Sequence, residues 1–243
     1  FDELFRAGKE LGQDYIATGH YVIVEHGEDG RYKLKKAVDL SKDQSYVLYS
    51  LSQEQLSHTM FPLGKLHKSE TRNIAEDHGF VNADRKESQD ICFIPDGDYA
   101  AFIERYTGKK IDSGNFVDMD GNVLGIHRGI IHYTVGQRKG LGLALKHPMY
   151  VQYIDVDNNE VVLGSNEDLF KRELTAHNFN WVSIACPDAP FRAKARIRYK
   201  HKEAPATITP LSETEVKIVF DEPQRAITKG QSVVVYDGDY VVG

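Results

Sequence analysis

The chain has 243 residues, 41% of them hydrophobic, which is enough to bury a core and to form two or three compact units. Thirty Lys and Arg against 36 Asp and Glu give a net charge of −6, which argues against indiscriminate nucleic-acid binding but allows a local basic face. No stretch approaches the roughly 20 apolar residues that cross a bilayer, and residues 1–9 are too charged for a signal peptide. The two cysteines suit a reducing compartment. We expect a soluble, cytoplasmic protein with no membrane contact.

The first residues read as part of an α/β unit. Apolar residues repeat on one helical face from Phe1 to Leu11, and Gly12 is typical of a helix end. Because the chain starts at Phe1 and inside this helical pattern, we expect an upstream portion to be missing. The apolar run that follows, from Asp14 to His20, predicts a buried parallel strand leading into a ligand-side loop.

Turn and capping signals then divide residues 21–79. Residues 21–38 predict a hairpin closed at Asp29-Gly30. Ser52 with Gln55 is the pattern of a capping box that opens a helix. A further helix is predicted from about Ser69 to His78, with Gly79 as its C-cap.

From residue 88 onward the pattern becomes mainly β. A short strand is predicted at 88–94, stopped by Pro95, followed by a helix that ends at Gly108. Hairpins at Asp120-Gly121 and around Asn158-Asn159 flank a glycine-rich segment, 136–142. The boundary is placed near Asn166, and the remaining short β-rich runs predict a small closed barrel.

The segment from Phe191 to Lys202 carries a basic residue at every second position. These residues are Arg192, Lys194, Arg196, Arg198, Lys200 and Lys202. Period two predicts a strand with one wholly basic face. Because like charges repel one another, such a face indicates an anionic ligand, and a phosphate backbone fits well. A solvated strand face is the alternative.

Other single signals are weak when each is taken alone. Cys92 lies between apolar neighbours, so a buried thiol and a reactive thiol both remain possible interpretations, whereas Cys186 has no chemical context. The Thr18-Gly19-His20 strand end allows a close approach of backbone to a nucleotide. The 136–142 segment could cradle a phosphate, although a flexible basic turn explains it too. The ten histidines lack metal-ligand spacing, and we predict no structural metal.

Four separated segments, taken together and in order, closely resemble the bacterial tRNA-specific 2-thiouridylases. They are Asp14-Tyr15-Ile16-Ala17-Thr18-Gly19-His20-Tyr21, Lys42-Asp43-Gln44-Ser45-Tyr46, Ser88-Gln89-Asp90-Ile91-Cys92-Phe93-Ile94 and Tyr133-Thr134-Val135-Gly136-Gln137-Arg138-Lys139-Gly140-Leu141-Gly142. The resemblance runs over the whole chain. It implies an α/β plus β fold: the remnant of a Rossmann-like ATP pyrophosphatase domain (1–92), a small α+β central domain (93–166) and a C-terminal β-barrel (167–243).

The resemblance also implies a reaction. ATP, with Mg²⁺, adenylates the C2 oxygen of the wobble uridine, and a cysteine persulfide then delivers sulfur, so that AMP leaves and 2-thiouridine remains. Cys92 matches the persulfide-bearing cysteine of the family, and its state at rest can be thiol, persulfide or disulfide. The partner cysteine, the catalytic aspartate and the Ser-Gly-Gly-Val-Asp-Ser phosphate loop of the family all precede Phe1, so the chain alone is expected to be inactive.

The same resemblance assigns the binding residues. Gly19 matches a position whose backbone meets ATP. The implied tRNA contacts are His20, Lys42, Asp43, Gln44, Arg198, Tyr199 and Gln231. The implied partners are tRNA and a sulfur donor, either a sulfur-relay protein or a cysteine desulfurase.

Two alternatives to the sulfurtransferase remain. The chain could be an RNA-binding module in which Cys92 is inert, so that Cys92→Ser leaves binding unaffected. It could also be another ATP pyrophosphatase acting on a small amide or acid, which the Thr18-Gly19-His20 strand end alone would allow. The basic segment and the predicted barrel favour an RNA substrate over this last alternative.

Overall fold

A computed structural model describes residues 1–81, 94 and 97–243. The helices are α1 (Asp2–Glu10), α2 (Gln53–Ser57), α3 (Lys68–Asp77) and α4 (Tyr99–Thr107). The strands are β1 (Ile16–Ala17), β2 (Val22–His26), β3 (Tyr32–Lys36), β4 (Thr59–Met60), β5 (Gly114–Val117), β6 (Val123–His127), β7 (Tyr150–Asp155), β8 (Glu160–Gly164), β9 (Phe170–His177), β10 (Phe191–Arg196), β11 (Ala204–Ser212), β12 (Glu215–Arg225), β13 (Val234–Asp237) and β14 (Tyr240–Val241).

The chain forms two compact units. The first takes the described residues of Phe1–Arg85 together with Glu173–Glu222 and Gln231–Gly243. The second takes those of Lys86–Arg172 together with Pro223–Gly230. Each unit therefore contains segments that lie far apart in the sequence.

The N-terminal α/β elements match the sequence predictions. Helix α1 carries acidic residues in its first turn and Lys9 in its last, which suits the helix dipole, and Gly12 follows with φ +66°. Strand β1 pairs in parallel with β4, as predicted. The capping box is present, since the Ser52 side chain accepts from the Gln55 backbone and Gln55 reaches back to the N-cap amide.

An eight-stranded sheet joins the N-terminal hairpin to the C-terminal strands. Its order is β2-β3-β14-β13-β10-β11-β12-β9, and the pairing of Tyr240 with Lys35 links the two regions. The core beneath it draws on both ends of the chain, including Val22, Leu34, Tyr46 and Tyr236. The hairpin at Asp29-Gly30 is thus confirmed, but it belongs to a sheet built mostly from residues after 190.

The prediction of one continuous basic strand from Phe191 to Lys202 is wrong in its second half. Strand β10 ends at Arg196, because its last pair with β11 joins Ala195 to Ala204 and the residues between them must form the connection. A turn bond from the His201 amide to the Arg198 carbonyl closes this connection. The charges are also mixed, since Arg192 forms an ion pair with Asp221 at 2.5 Å.

The second unit is a four-stranded sheet in the order β6-β5-β8-β7, with β5 and β8 parallel. Its hairpins at Asp120-Gly121 and Asn158-Asn159 confirm the sequence prediction. The fully buried Phe116 lies at the centre of the core. Helix α4 ends as predicted at Gly108, which has a left-handed conformation. The strand predicted at 88–94 and its stop at Pro95 fall outside the described residues, apart from Ile94.

Within the described ranges, no helix has the length and apolar character needed to span a membrane.

Candidate RNA-facing surface and nucleotide-side loop

The loop after β3, which contains Lys42-Asp43-Gln44, is held by a buried carboxylate. Asp43 is only 8% exposed. Its Oδ1 accepts hydrogen bonds from the amides of Ala37 (3.1 Å) and Ser45 (3.3 Å), and its Oδ2 accepts one from the Ser45 hydroxyl (2.7 Å). These bonds satisfy buried amides that would otherwise lack a partner. Asp43 therefore shapes the loop from inside.

Gln44 connects this loop to the strand end at Gly19-His20. Its side-chain oxygen accepts from the Tyr21 amide at 3.0 Å, and its own amide donates to the Tyr21 carbonyl at 3.0 Å. Two candidate segments from different parts of the sequence, 19–20 and 42–44, are therefore adjacent.

The Gly19-His20 segment has an open side. A Cβ on Gly19 would meet only Leu63, at an ordinary contact distance of 3.7 Å, so the described fold does not itself require glycine there. His20 is half-buried, with its Nδ1 3.1 Å from the Thr18 hydroxyl. Burial lowers the pKa of His20. The imidazole is therefore predominantly neutral at pH 7 and suits a hydrogen bond better than an ion pair.

An aromatic and cationic cluster gathers three segments of the first unit. The Arg196 guanidinium lies 5.3 Å from the Tyr46 ring centroid and 5.5 Å from that of Tyr199. Tyr46 donates a hydrogen bond to the Ser232 carbonyl (2.7 Å), and Tyr49 bonds the Ser232 hydroxyl (2.7 Å). We call Tyr46, Tyr49, Arg196, Tyr199 and Ser232 the tyrosine–arginine cluster.

Several predicted tRNA contacts lie around this cluster. Tyr199 is a member and is 42% exposed, and Arg198 precedes it in the same connection. Gln231 is exposed and adjoins Ser232, while Lys42-Asp43-Gln44 directly precede Ser45-Tyr46. Folding thus brings together the surroundings of residues 42–44, 198–199 and 231, which are widely separated in sequence.

A polar core supports the cluster from beneath. The Tyr236 hydroxyl lies 3.2 Å from the Ser45 hydroxyl, and burial raises the pKa of Tyr236 to about 12. Lys36 packs its ammonium 4.7 Å from the Tyr236 ring centroid and 2.6 Å from a Glu203 carboxylate oxygen. Both members of this ion pair are largely shielded from solvent. The pair ties β3 to the connection that leads from Tyr199 into β11.

Sequence reasoning missed the roles of Arg196, Ser232 and the Lys36–Glu203 pair. Arg196 was placed among six equivalent basic residues, whereas the structure gives it two aromatic partners. Tyr46 stands in a quoted motif, but its contact with Ser232 joins positions 186 residues apart and leaves no local signal. Cys92, the predicted persulfide carrier, lies outside the described residues. Within the described residues, no three His, Cys, Asp or Glu side chains gather to hold a metal ion.

Three consecutive stretches of the chain match family models. Residues 1–96 match a tRNA methyl transferase HUP domain, residues 100–165 a tRNA methyl transferase PRC-barrel domain, and residues 171–243 an aminomethyltransferase beta-barrel domain. These matches define a tRNA-modifying class of protein. The predicted fold class is confirmed: the remnant of an α/β HUP domain, a small mixed domain and a C-terminal barrel-type domain.

Curated relatives resolve the class further. The chain is 52% identical over 244 aligned residues to the tRNA-specific 2-thiouridylase MnmA of Clostridioides difficile and 53% identical to that of Acetivibrio thermocellus. The Halothermothrix orenii protein of the same name is 50% identical. Each alignment covers 100% of this chain and 68% of the relative. The chain belongs to the tRNA-specific 2-thiouridylase family, whose members are tRNA sulfurtransferases.

Proposed function

We propose that this chain takes part in converting a tRNA uridine to 2-thiouridine. The observation that carries the proposal is the convergence of residues 42–44, 198–199 and 231 around the tyrosine–arginine cluster. The exposed Tyr199 ring, with the partly exposed Arg196 guanidinium beside it, suits RNA, whose bases stack on aromatic rings and whose phosphates attract cations. Family membership supports the same conclusion.

In the proposed first step, ATP with Mg²⁺ activates the uridine C2 oxygen as an adenylate and pyrophosphate is released. The contribution of this chain is the Gly19 backbone. A Cβ at this position would make an ordinary contact with Leu63 alone in the described fold, so glycine leaves room for a phosphate or ribose to approach the main chain. The neutral imidazole of His20 lies next to it and can donate or accept a hydrogen bond with the substrate.

In the proposed second step, a Cys92 persulfide delivers its outer sulfur to C2. The C2–O bond breaks, and AMP leaves with the oxygen. A second cysteine thiolate, which the family resemblance places upstream of Phe1, attacks the inner sulfur of Cys92, so that the persulfide S–S bond breaks, a disulfide with Cys92 forms and the outer sulfur stays on C2. A sulfur-relay protein or a cysteine desulfurase would load Cys92. This step rests on the resemblance of the Ser88–Ile94 segment to the family motif. We also propose a cytoplasmic location, which a tRNA substrate supports.

We assign the tRNA contacts to Lys42, Gln44, Arg198, Tyr199 and Gln231, with His20 nearest the reacting base. Asp43 contributes through its hydrogen bonds to Ala37 and Ser45, which set the shape of the loop. We also propose domain limits of 1–92, 93–166 and 167–243. Under this assignment the hairpin of β2 and β3 belongs to the catalytic domain while its strands extend the C-terminal sheet.

The test is a thiolation assay of the protein expressed from its complete reading frame, with ATP, Mg²⁺, a sulfur donor and unmodified tRNA. Mass spectrometry of the digested nucleosides measures 2-thiouridine. Cys92→Ser should abolish the product. Cys186→Ser is the matched control and should leave it unchanged, because the hydrogen bonds of the Cys186 thiol to described residues go only to the Pro187 and Ser212 carbonyls, at 3.8 Å.

Other outcomes separate the alternatives. Thiolation by Cys92→Ser at the normal rate would show that Cys92 does not carry the sulfur. Binding of tRNA without thiolation by any version would favour the RNA-binding module. The 243-residue chain alone should bind tRNA without thiolating it, since its sequence contains no Ser-Gly-Gly-Val-Asp-Ser phosphate loop.

A further inference from the structure

The glycine-rich segment of the second unit lines a cavity of about 440 Å³. The lining residues are Arg138, Gly140, Leu141, Gly142, Leu143, Leu145, Lys146, His147, Pro148 and Met149. Two of them are permanent cations at neutral pH, one is a histidine, and none is acidic. Cationic side chains without a carboxylate beside them make this wall electrostatically favourable for an anion.

This wall is anchored to the core of the second unit. Leu141 is buried in that core, and Leu143, Leu145 and Met149 pack against it. The Gln137 side chain accepts from the Thr134 amide (3.0 Å) and donates to the Lys139 carbonyl (3.0 Å), which closes the turn. Apolar packing and this turn therefore hold the wall of the cavity in place.

The backbone of the same segment presents donors. Gly140 and Gly142 have φ values of +76° and +72°, and a Cβ on Gly142 would meet no atom within 4 Å. In the described part of the chain, the amides of residues 138–147 donate no hydrogen bond. Successive free amides in a turn with left-handed residues form the concave donor sites that bind phosphate oxygens.

We propose that Arg138, Lys146 and the adjoining backbone amides bind phosphates of the tRNA backbone. This inference rests on the proposed function and extends it to a second RNA contact, in the unit that lacks the tyrosine–arginine cluster. The apolar lining suits the ribose faces between phosphates, and cations near a phosphodiester act through counterion release. We call this site the 138–147 cradle.

The experiment measures binding of unmodified tRNA to the 243-residue chain by fluorescence anisotropy over a series of salt concentrations. The test variant is Arg138→Ala/Lys146→Ala. The charge-matched control is Arg105→Ala/Lys109→Ala, which removes one Arg and one Lys from exposed positions in the same unit. Thermal unfolding of each variant checks that the fold is retained.

The cradle predicts about tenfold weaker binding by the test variant at roughly 150 mM salt and a salt slope smaller by about 2, because each removed cation leaves one phosphate without its neutralising charge. The control should keep the affinity and slope of the unchanged chain. Equal weakening in test and control, or unchanged binding by the test variant, would overturn the cradle. A second measurement uses pyrophosphate and ATP as competitors of tRNA binding. If the double substitution weakens binding of these small phosphates but not of tRNA, the tRNA assignment is wrong.

The result also separates this inference from the proposed function. Absence of tRNA binding by the unchanged chain contradicts the proposed tRNA-recognition role, and with it the cradle. Normal tRNA binding that the double substitution does not affect contradicts the cradle alone.

Discussion

Replacing Asp43 tests whether this residue supports its loop or contacts RNA directly. In Asp43→Ala, the amides of Ala37 and Ser45 lose their acceptor while both residues remain buried. Each unsatisfied buried amide costs about 1–3 kcal/mol, so the free energy of unfolding should fall by about 3 kcal/mol. The Ser45 hydroxyl adds little to this, because it can still bond Tyr236.

Urea unfolding followed by tryptophan fluorescence measures this decrease. The only tryptophan, Trp181, lies in the same compact unit as Asp43, so its signal reports on that unit. With a urea m-value of about 2 kcal/mol/M, the midpoint should drop by roughly 1.5 M. Asp188→Ala, at an exposed position, is the matched control and should shift the free energy of unfolding by less than about 0.5 kcal/mol.

Asp43→Asn distinguishes shape from charge. The amide oxygen can still accept from both backbone groups, so the cost should be about 1 kcal/mol. Affinity for tRNA should stay within about twofold, because the buried carboxylate faces the protein. The reasoning is refuted if Asp43→Ala unfolds at the same midpoint as Asp188→Ala, or if Asp43→Asn loses tRNA affinity while keeping its stability.

Three further substitutions give separate expectations. Gly19→Ala should leave the free energy of unfolding within about 0.5 kcal/mol yet raise the KM for ATP in the thiolation assay by about tenfold. Gly64→Ala, in contrast, should unfold more easily, because its Cβ would overlap the Val22 carbonyl. Equal KM values for Gly19→Ala and the unchanged protein would remove Gly19 from the ATP site. Arg196→Met should lower tRNA affinity by about 3- to 10-fold, because Tyr199 loses its cationic partner. Adding Tyr199→Ala to this variant should weaken tRNA binding little further, so additive losses in the double-mutant cycle would contradict the coupling of Arg196 and Tyr199. Burial raises the pKa of Tyr236 to about 12 in the folded state, against about 10 in the unfolded chain. The neutral phenol therefore stabilises the fold fully below pH 10, and the free energy of unfolding should fall by about 2–3 kcal/mol as the pH rises from 10 to 12. Tyr236→Phe should flatten that window in urea unfolding relative to the unchanged chain, and an identical pH dependence would show that Tyr236 does not titrate there.

Local signals were enough to predict most of the elements. The hairpin at Asp29-Gly30, the Ser52–Gln55 capping box and the helix end at Gly108 depend on residues close together in sequence, and all three are confirmed. The family resemblance likewise followed from four motifs in order. The basic segment shows the limit of such signals, because period two continued to Lys202 while the register with β11 ended the strand at Arg196.

The composition and motifs of the sequence by themselves determined the fold class, the family and the identity of the candidate residues. Only the tertiary structure decided which of them share a surface. Tyr46 meets Ser232, and Lys36 meets Glu203, across separations of more than about 160 residues, so no local pattern records these contacts. Their energies depend on burial and on the sheet that pairs β3 with β14, and those conditions exist only once both ends of the chain have folded together.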